Sequence, residues 1–202
     1  MNGQQAKRVR WLGHHDAAEV KRFEAALLDE APEVRAILRL EALAGFRRGE
    51  LIGNVYGTRK AKTIREVPGL RRSEVNVREG YVTVPAERSK SGKERREYLN
   101  PEAAEVIKGL KVISTDGLYF PGSVHGWRQR LKKAMDRIRR AVETDDLKAQ
   151  DLRHHHAVRA RQNGAPLEIV RDLLGHASVR TTERYAHVGV TELRDAVAQI
   201  KI

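Results

Sequence analysis

The residues with the clearest capacity for chemistry lie between positions 150 and 187. Arg153 carries a planar set of N–H donors that suits a phosphate group. His176 can donate a hydrogen bond to a phosphate oxygen, and the hydroxyl of Tyr185 can serve as a covalent nucleophile. Each residue alone is weak evidence, because a single tyrosine on an amphipathic helix usually packs in a core and an Arg–His pair is usually exposed. Together they indicate chemistry at a phosphate.

The order of the motifs around these residues is more specific. The chain reads DLRH at residues 151–154, LLGHAS at 173–178 and TTERYAHV at 181–188. This series resembles the carboxyl-terminal motifs of the tyrosine recombinases, the phage integrase family. The resemblance implies a DNA strand transferase that forms a phosphotyrosine bond. It makes Arg153 the second catalytic arginine, His176 the residue at the late His position and Tyr185 the nucleophile.

Two earlier segments resemble further motifs of the same family. The segment AGFRRGEL, residues 44–51, makes Arg47 the first catalytic arginine and Glu50 a residue that supports the site. Its neighbour Arg48 is expected to face solvent and to contact DNA. The segment RSKSGKER, residues 88–95, makes Lys90 the catalytic lysine and Lys93 a phosphate contact. The alternative for the first segment is a charged helix start that contacts only solvent, and the alternative for the second is a basic turn that is simply exposed.

Gln150 is a departure from the family pattern. The family usually has His three residues before the second arginine, where this chain has Gln150. An amide can donate a hydrogen bond to a phosphate oxygen, so Gln150 is retained as a catalytic-site residue, but it cannot take a proton near neutral pH. The Tyr185 proton is therefore expected to pass to water or through phosphate-linked contacts. His154, one helical turn later on roughly the same face, is the alternative acceptor, although the family commonly has His at that position too.

Further basic residues suggest contacts with the DNA backbone. Residues 54–69 read as an inserted long loop that carries Arg59, Lys60, Lys62 and Arg65. A long basic helix from Ser123 to about residue 142 adds Arg128 and Lys132, which can lie along phosphates. In both segments the alternative is a charged surface that only contacts water.

The overall composition agrees with a polyanionic partner. The chain has 202 residues, a net charge of +12 and 40% hydrophobic residues, which predicts one folded domain that binds nucleic acid. It has no cysteine, which excludes disulfides and thiolate metal sites. No apolar run approaches the length that spans a membrane, and no signal peptide is visible. The family resemblance implies a cytoplasmic, nucleoid-associated protein of prokaryotic or viral/mobile-element origin. The three consecutive histidines, 154–156, point about 100° apart on a helix and so cannot share a metal ion.

The elements that position these residues predict a mainly α fold with a small antiparallel β-sheet (α+β), as in the tyrosine recombinase catalytic domain. Helices are predicted for residues 16–28, from Pro32 to Gly45, from Pro101, from Ser123 to 142, in three short segments across 150–187 and over 191–200. Strands are predicted at 74–77, 81–84 and 95–99. Residues 1–15 are expected to be a flexible basic lead and 16–202 the catalytic domain. The 46 residues before Arg47 leave no room for the family's DNA-clamping domain, so an excised domain or a short relative is expected.

The resemblance implies site-specific recombination, of the integration or excision type, through a covalent 3′-phosphotyrosine intermediate. It implies no cofactor and no metal ion, double-stranded DNA as the partner, and self-association as a tetramer on paired sites. Two alternatives remain open. One is a relative that binds DNA without cutting it, which Gln150 alone supports. The other is a topoisomerase of the type IB class, although the LLGH and TTxxY strings favour the recombinases.

Overall fold

Helices dominate the structure, which is a computed structural model that describes residues 10–14, 16–57, 64–112, 114–176, 178–186 and 188. The helices are α1 (Ala18–Leu28), α2 (Pro32–Leu43), α3 (Arg48–Ile52), α4 (Pro101–Lys108), α5 (Val124–Val142), α6 (Ala149–Gln162) and α7 (Leu167–Leu173). The strands are β1 (Asn54–Tyr56), β2 (Arg65–Val67), β3 (Val75–Asn76), β4 (Tyr81–Val84) and β5 (Arg95–Tyr98). The predicted α+β fold is confirmed. No helix in the described part of the chain has both the length and the apolar content needed to cross a membrane.

Helix α2 lies at the centre of the helical core. It begins at Pro32, whose fixed φ suits a first helical turn, and it packs against α3, α4, α5 and α6. Ile37, Leu38 and Leu40 are fully buried, so the helix is apolar on most of its circumference. This burial fixes the turn that follows α2, and that turn leads directly to Arg47.

Helix α5 forms as its sequence predicts. The Ser123 hydroxyl accepts a hydrogen bond from the Gly126 amide at 3.1 Å and so caps the helix. Its predicted apolar stripe is buried, with Trp127 and Leu131 in the main core beside α1. The Glu66 carboxylate, on β2, accepts a hydrogen bond from the Val124 amide at 2.8 Å. This contact connects the first turn of α5 to the segment predicted as an insertion.

The inserted segment is not simply a long loop, and this prediction was wrong. Strands β1 and β2 pair as an antiparallel two-stranded sheet in which Asn54 is opposite Val67. Val67 is buried in the domain, which gives the returning strand a fixed position. Of the four basic residues predicted to contact DNA here, Arg65 lies exposed on β2 beside Glu87, at 3.2 Å. Arg59, Lys60 and Lys62 lie outside the described residues.

A second sheet carries the predicted lysine. Strands β3, β4 and β5 form an antiparallel sheet in that order, with Val75 opposite Val82 and Tyr81 opposite Tyr98. Gly80 has φ +71°, a conformation that favours glycine, and it lies in the predicted turn from β3 to β4. The connection from β4 to β5 contains residues 85–94 and presents Lys90 at the surface.

The carboxyl-terminal motif forms two of the three predicted helices. Helices α6 and α7 occur as predicted, but the third is replaced by two short 3-10 helices, Val179–Thr181 and Glu183–Tyr185. The Thr182 hydroxyl, fully buried, contacts His176 at 3.0 Å, a tertiary contact that holds the chain between the two turns. The helix predicted at 191–200 lies outside the described residues.

The segment before α1 packs against the domain, although residues 1–15 were predicted to be a flexible lead. Leu12 is buried, and its carbonyl lies 3.1 Å from His155 Nδ1. Trp11 packs against the apolar cluster that contains Tyr185. Residues 10–14 therefore contribute to the packing behind α6.

Two adjacent leucines of α1 give a test of this core. Leu27 is 0% exposed and Leu28 is 70% exposed. Replacing Leu27 with Ala should lower the free energy of unfolding by about 2–5 kcal/mol, because it leaves a cavity in the core. Leu28→Ala in the same helix should change it by less than about 0.5 kcal/mol. Urea unfolding measures both, and equal effects of the two variants would contradict this description of α1.

Candidate active site

The predicted catalytic residues meet in one pocket of about 620 Å³. Elements distant in sequence supply its walls: the turn between α2 and α3, the β4–β5 connection, the start of α6 and the chain that follows α7. The residues that line it are Glu41, Phe46, Arg47, Arg48, Lys90, Ser91, Ala149, Gln150, Arg153, His154, Gly175, His176, Thr181, Arg184 and Tyr185.

Arg47 and Arg153 are held against the same backbone oxygen. Arg47 Nη2 donates to the carbonyl of Leu174 at 2.9 Å, and Arg153 Nη2 donates to that same carbonyl. Arg153 Nη1 donates to the carbonyl of Gly45, in the turn before Arg47. These contacts join segments that lie 108 and 127 residues apart in the sequence. They fix the two guanidinium groups side by side at the pocket wall.

Two buried carboxyl groups lie behind these arginines. Glu50 accepts from Arg47 at 3.0 Å and from Arg95 at 2.9 Å, and Glu97 pairs with Arg95. Burial raises the pKa of Glu50, but Arg95, Arg47 and Arg153 together lower it below its usual range. Burial raises the pKa of Glu97 to about 8, although Arg95 and Arg153 oppose the rise. Three guanidinium groups facing two carboxyl groups leave a net positive charge for an anion in the pocket.

His156 and Gly45 join α6 to the turn before α3. His156 Nδ1 lies 3.0 Å from the carbonyl oxygen of Leu43, to which it donates. Gly45 has φ +70°, and a Cβ there would lie 2.7 Å from the His156 ring. Only glycine therefore fits at this position, the same one whose carbonyl binds Arg153. Burial lowers the pKa of His156 to about 4, so the ring is neutral at pH 7.

His176 is oriented by a buried hydroxyl. Its Nδ1 lies 3.0 Å from Thr182 Oγ1, which leaves Nε2 as the ring nitrogen available to a ligand in the pocket. Burial, with Arg153 and Arg47 acting in the same direction, lowers the pKa of His176 to about 4. The ring is neutral near pH 7 and can donate through Nε2 when Nδ1 accepts from Thr182.

Tyr185 is buried in the second apolar cluster, beside Val158, Val170 and Leu174, with its hydroxyl at the pocket. That hydroxyl contacts Nδ1 of His154. Burial raises the pKa of Tyr185 to about 12, although Arg184 and Arg153 oppose the rise. The group therefore holds its proton in the free protein.

The remaining predicted residues occupy different surroundings. Lys90 and Gln150 line the pocket, and Lys90 is exposed. Arg48 lines it too, but rather than facing solvent freely it forms two 2.8 Å hydrogen bonds with the buried Glu41. The residues predicted to contact DNA that lie outside the pocket, but within the described chain, are Arg65, Lys93, Arg128 and Lys132.

The sequence reasoning missed two residues of this site and left one undecided. Arg184 lines the pocket directly before Tyr185, and Arg95 connects Glu50 to Glu97. Arg95 ends the RSKSGKER segment, so its place in a family motif was the available signal. His154 was considered only as an alternative to Gln150. The three histidines have separate partners, namely Tyr185, Leu12 and Leu43, as their helical spacing predicts.

The chain matches a known protein family. The Phage integrase family model matches residues 58–192. The chain is 29% identical to the tyrosine recombinase XerC of Halalkalibacterium halodurans, covering 90% of this chain and 63% of the relative. It is 30% identical to the tyrosine recombinase XerD of the same organism, covering 83% and 61%. The chain thus spans less than two thirds of the length of these curated relatives.

Solved structures share the fold. The crystal structure of XerA recombinase superposes with a TM-score of 0.66 at 21% identity, over 96% of this chain and 66% of that one. The catalytic domain of bacteriophage HP1 integrase gives 0.61 at 21% identity, over 95% of both chains. XerH recombinase bound to its palindromic difH substrate gives 0.66 at 21% identity, over 98% and 55%.

The neutral, buried state of His156 predicts a pH dependence of stability. Its pKa is about 4 in the folded chain and near 6.5 when unfolded, so the unfolded state binds the proton more readily. The contribution of His156 to the free energy of unfolding is fully present above pH 6.5 and is lost as the pH falls toward 4. His156→Asn should therefore destabilise the protein at pH 7, and the difference from wild type should narrow by pH 4.5. Urea unfolding at each pH measures this; the exposed His125→Asn is the control, for which no narrowing is expected.

Proposed function

Since the chain belongs to the phage integrase family, we propose that it is the catalytic domain of a site-specific tyrosine recombinase. In this proposal it cleaves double-stranded DNA through a covalent 3′-phosphotyrosine intermediate and then rejoins the strands. The observation that carries the proposal is the convergence of Arg47, Arg153, His176 and Tyr185 on one positively charged pocket. These residues come from three separate segments of the chain, so their meeting is not a consequence of sequence proximity.

The two arginines bind the phosphate that is cut. A phosphodiester is a poor electrophile with two charged nonbridging oxygens, and guanidinium groups can engage such oxygens in pairs. The positive charge of Arg47, Arg153 and Arg95 is only partly balanced by Glu50 and Glu97, so the pocket favours an anion. Because the arginines are already fixed to Leu174 and Gly45, they stabilise the developing charge without reorganising.

The other pocket residues complete the cleavage step. The Tyr185 oxygen attacks phosphorus in line and becomes bonded to the 3′ side. Lys90 donates a proton to the departing 5′ oxygen. His176 donates a hydrogen bond through Nε2 to a nonbridging oxygen, oriented by Thr182. Gln150 keeps a hydrogen bond to the phosphate through its amide. Lys90 is exposed at the pocket mouth, as a group that meets the leaving strand should be.

The covalent bond conserves the energy of the phosphodiester. A second 5′ hydroxyl can therefore attack the phosphotyrosine and release Tyr185, with no cofactor. Exchange between two duplexes requires several subunits, so we include assembly as a tetramer on paired sites in the proposal, together with action on chromosomal or mobile-element DNA in the nucleoid. The structures of XerH recombinase bound to difH and of the Tn1549 transposon integrase in complex with a circular intermediate DNA support DNA as the partner.

One flank of α5 extends the DNA-binding surface in this proposal. At 100° per residue, Arg128, Lys132 and Arg139 share a flank, and Arg130 and Lys133 lie on the opposite one. Arg139 donates to the carbonyl of Leu147 at 3.2 Å, at the approach to α6 and the pocket. Arg128 and Lys132 are exposed on that same flank. In this proposal they contact phosphates that continue from the cleaved one.

Loss of the hydroxyl tests the nucleophile. Tyr185→Phe should abolish the denaturant-stable DNA adduct, because the ring still packs but no oxygen remains to attack phosphorus. The substrate is a pool of nicked duplexes of random sequence. After cleavage the short freed strand diffuses away, so the strands cannot rejoin and the covalent adduct accumulates. Denaturing electrophoresis detects the adduct, and DNA recovered from it supplies a defined substrate. Affinity should stay within about twofold of wild type.

The outcomes separate the alternatives. An adduct that persists in Tyr185→Phe rejects the nucleophile assignment. Binding without any wild-type adduct supports a relative that does not cut DNA. Relaxation of supercoiled plasmid without strand exchange supports a topoisomerase of the type IB class.

Matched charge removals test the α5 surface. Arg128→Ala with Lys132→Ala should weaken DNA binding about equally for all sequences and reduce the slope of log affinity against log salt by about 2. Arg130→Ala with Lys133→Ala removes the same charge from the opposite flank and should change the slope by less than about 0.5. Fluorescence anisotropy between 50 and 200 mM salt, roughly the range over which such contacts weaken, measures both. Equal slopes in the two double variants would contradict the assignment of a single DNA-facing flank.

A further inference from the structure

We propose that His154 is the proton acceptor for Tyr185 in the cleavage step. This inference rests on the proposed recombinase function and assigns to His154 the part that Gln150 cannot take. It makes His154 a catalytic residue, because its ring touches the attacking oxygen.

The geometry of the contact carries the proposal. His154 follows Arg153 on α6, and its Nδ1 contacts the Tyr185 hydroxyl. The ring centroids are 5.8 Å apart and the planes are inclined by 56°, so the rings meet through the hydroxyl and do not stack. The hydroxyl is the only donor in this pair when Nδ1 accepts, which places the imidazole proton on Nε2. This arrangement is ready for transfer of the tyrosine proton to Nδ1.

Among the other described groups around the pocket, none is a neutral base in contact with the Tyr185 hydroxyl. Arg47, Arg153, Arg184 and Lys90 are cationic donors. The Gln150 amide has no basic nitrogen. In the described part of the chain, His176 contacts Thr182 and not the Tyr185 hydroxyl, and the Glu41 carboxylate is paired with Arg48. Thr181 carries a hydroxyl, which is not a base near neutral pH. Among the pocket residues that the structure describes, His154 is therefore the neutral base in contact with the nucleophile.

The electrostatic surroundings keep His154 in its accepting form. Burial lowers the pKa of His154 to about 4, and Arg184 and Arg153 act in the same direction. The ring is thus unprotonated at neutral pH. Charged and titratable groups face this part of the pocket from every side: Arg184 and Tyr185 from the last 3-10 turn, Arg153 from α6, His176 after α7, Arg47 before α3, and Lys90 from the β4–β5 connection. A phosphate bound by the arginines offsets their charge and makes His154 more basic when DNA is present.

The proton and bond changes balance within the site. The tyrosine O–H bond breaks and its proton moves to Nδ1 of His154, while the oxygen forms a bond to phosphorus. The bond from phosphorus to the 5′ oxygen breaks, and that oxygen takes a proton from Lys90. In rejoining, the attacking 5′ hydroxyl returns its proton to Lys90 and the His154 imidazolium returns its proton to Tyr185. The enzyme is restored with no external acid or base.

The principal test removes the base but keeps the contact. In His154→Asn the amide oxygen can still accept a hydrogen bond from Tyr185, but it cannot take a proton near neutral pH. Adduct formation on the defined substrate at pH 7 should be slower by about 10²-fold or more. The rate should rise by about tenfold per pH unit, since hydroxide now removes the proton, whereas wild type should change little between pH 6.5 and 8.

A modified substrate separates this role from that of Lys90. When sulfur replaces the bridging 5′ oxygen, the thiolate leaves without a proton. Lys90→Ala should then recover most of its activity, whereas His154→Asn should remain slow. Fluorinated tyrosine at position 185, a stronger acid, should restore part of the activity of His154→Asn. His155→Asn is the matched control: its ring faces Leu12 and not the pocket, so its cleavage rate should stay within about twofold of wild type.

The outcomes that overturn the proposal are distinct. Wild-type cleavage rates in His154→Asn, or a slow rate with the pH profile of wild type, would show that His154 only positions the ring. Recovery of His154→Asn by the sulfur substrate would place its action on the leaving group. If His154→Asn does not fold, His154→Ala with added imidazole replaces it, and absence of rescue overturns the proposal. Failure of the wild-type protein to form any adduct would reject the recombinase function itself.

Discussion

The carbonyl oxygen of Leu174 accepts hydrogen bonds from both Arg47 and Arg153, and the rest of the site depends on this shared acceptor. Two guanidinium groups repel each other, so they stay adjacent only where fixed acceptors hold them. The acceptor lies at the carboxyl-terminal end of α7, where the last carbonyls of a helix lack partners within the helix. Two hydrogen bonds to one backbone oxygen thereby give that oxygen its partners and bring the two arginines together.

The charge of these arginines is balanced only in part. Glu50 pairs with Arg47 and Arg95, and Glu97 pairs with Arg95, so the carboxyl groups lie behind the arginines and leave the pocket side positive. The raised pKa of Glu97, about 8, shows how strongly burial disfavours its charge. Complete neutralisation would remove the attraction for phosphate, whereas no neutralisation would leave buried charges uncompensated. The observed arrangement lies between these limits.

The same segment that supplies Arg153 also connects the site to the core. Along α6, Arg153 reaches the turn before α3, His154 reaches Tyr185, His155 reaches Leu12 and His156 reaches Leu43. Successive side chains on a helix point in different directions, so these four residues contact three different parts of the chain. Arg153 and His156, three positions apart, both contact the turn that follows α2. This accounts for the polar character of a helix that is packed on several sides. It also explains why Gly45, against the His156 ring, has room for no side chain.

The sequence by itself determined the residue types and the elements that carry them. The motifs around Arg47, Lys90, Arg153, His176 and Tyr185 could be recognised in the sequence because each has a fixed local spacing. Helices α2 and α5 could be predicted from their apolar periodicity and from Pro32 and Ser123 at their starts. Only the tertiary structure decided the contacts made across the chain: the pairing of β1 with β2, the 3-10 turns held by Thr182, and the choice of His154 over Gln150 as the partner of Tyr185. Local spacing places Gln150 and His154 on one face of α6, but the position of the Tyr185 hydroxyl along that face depends on how α7 and the following turns pack. That packing arises from long-range burial, which no local pattern encodes.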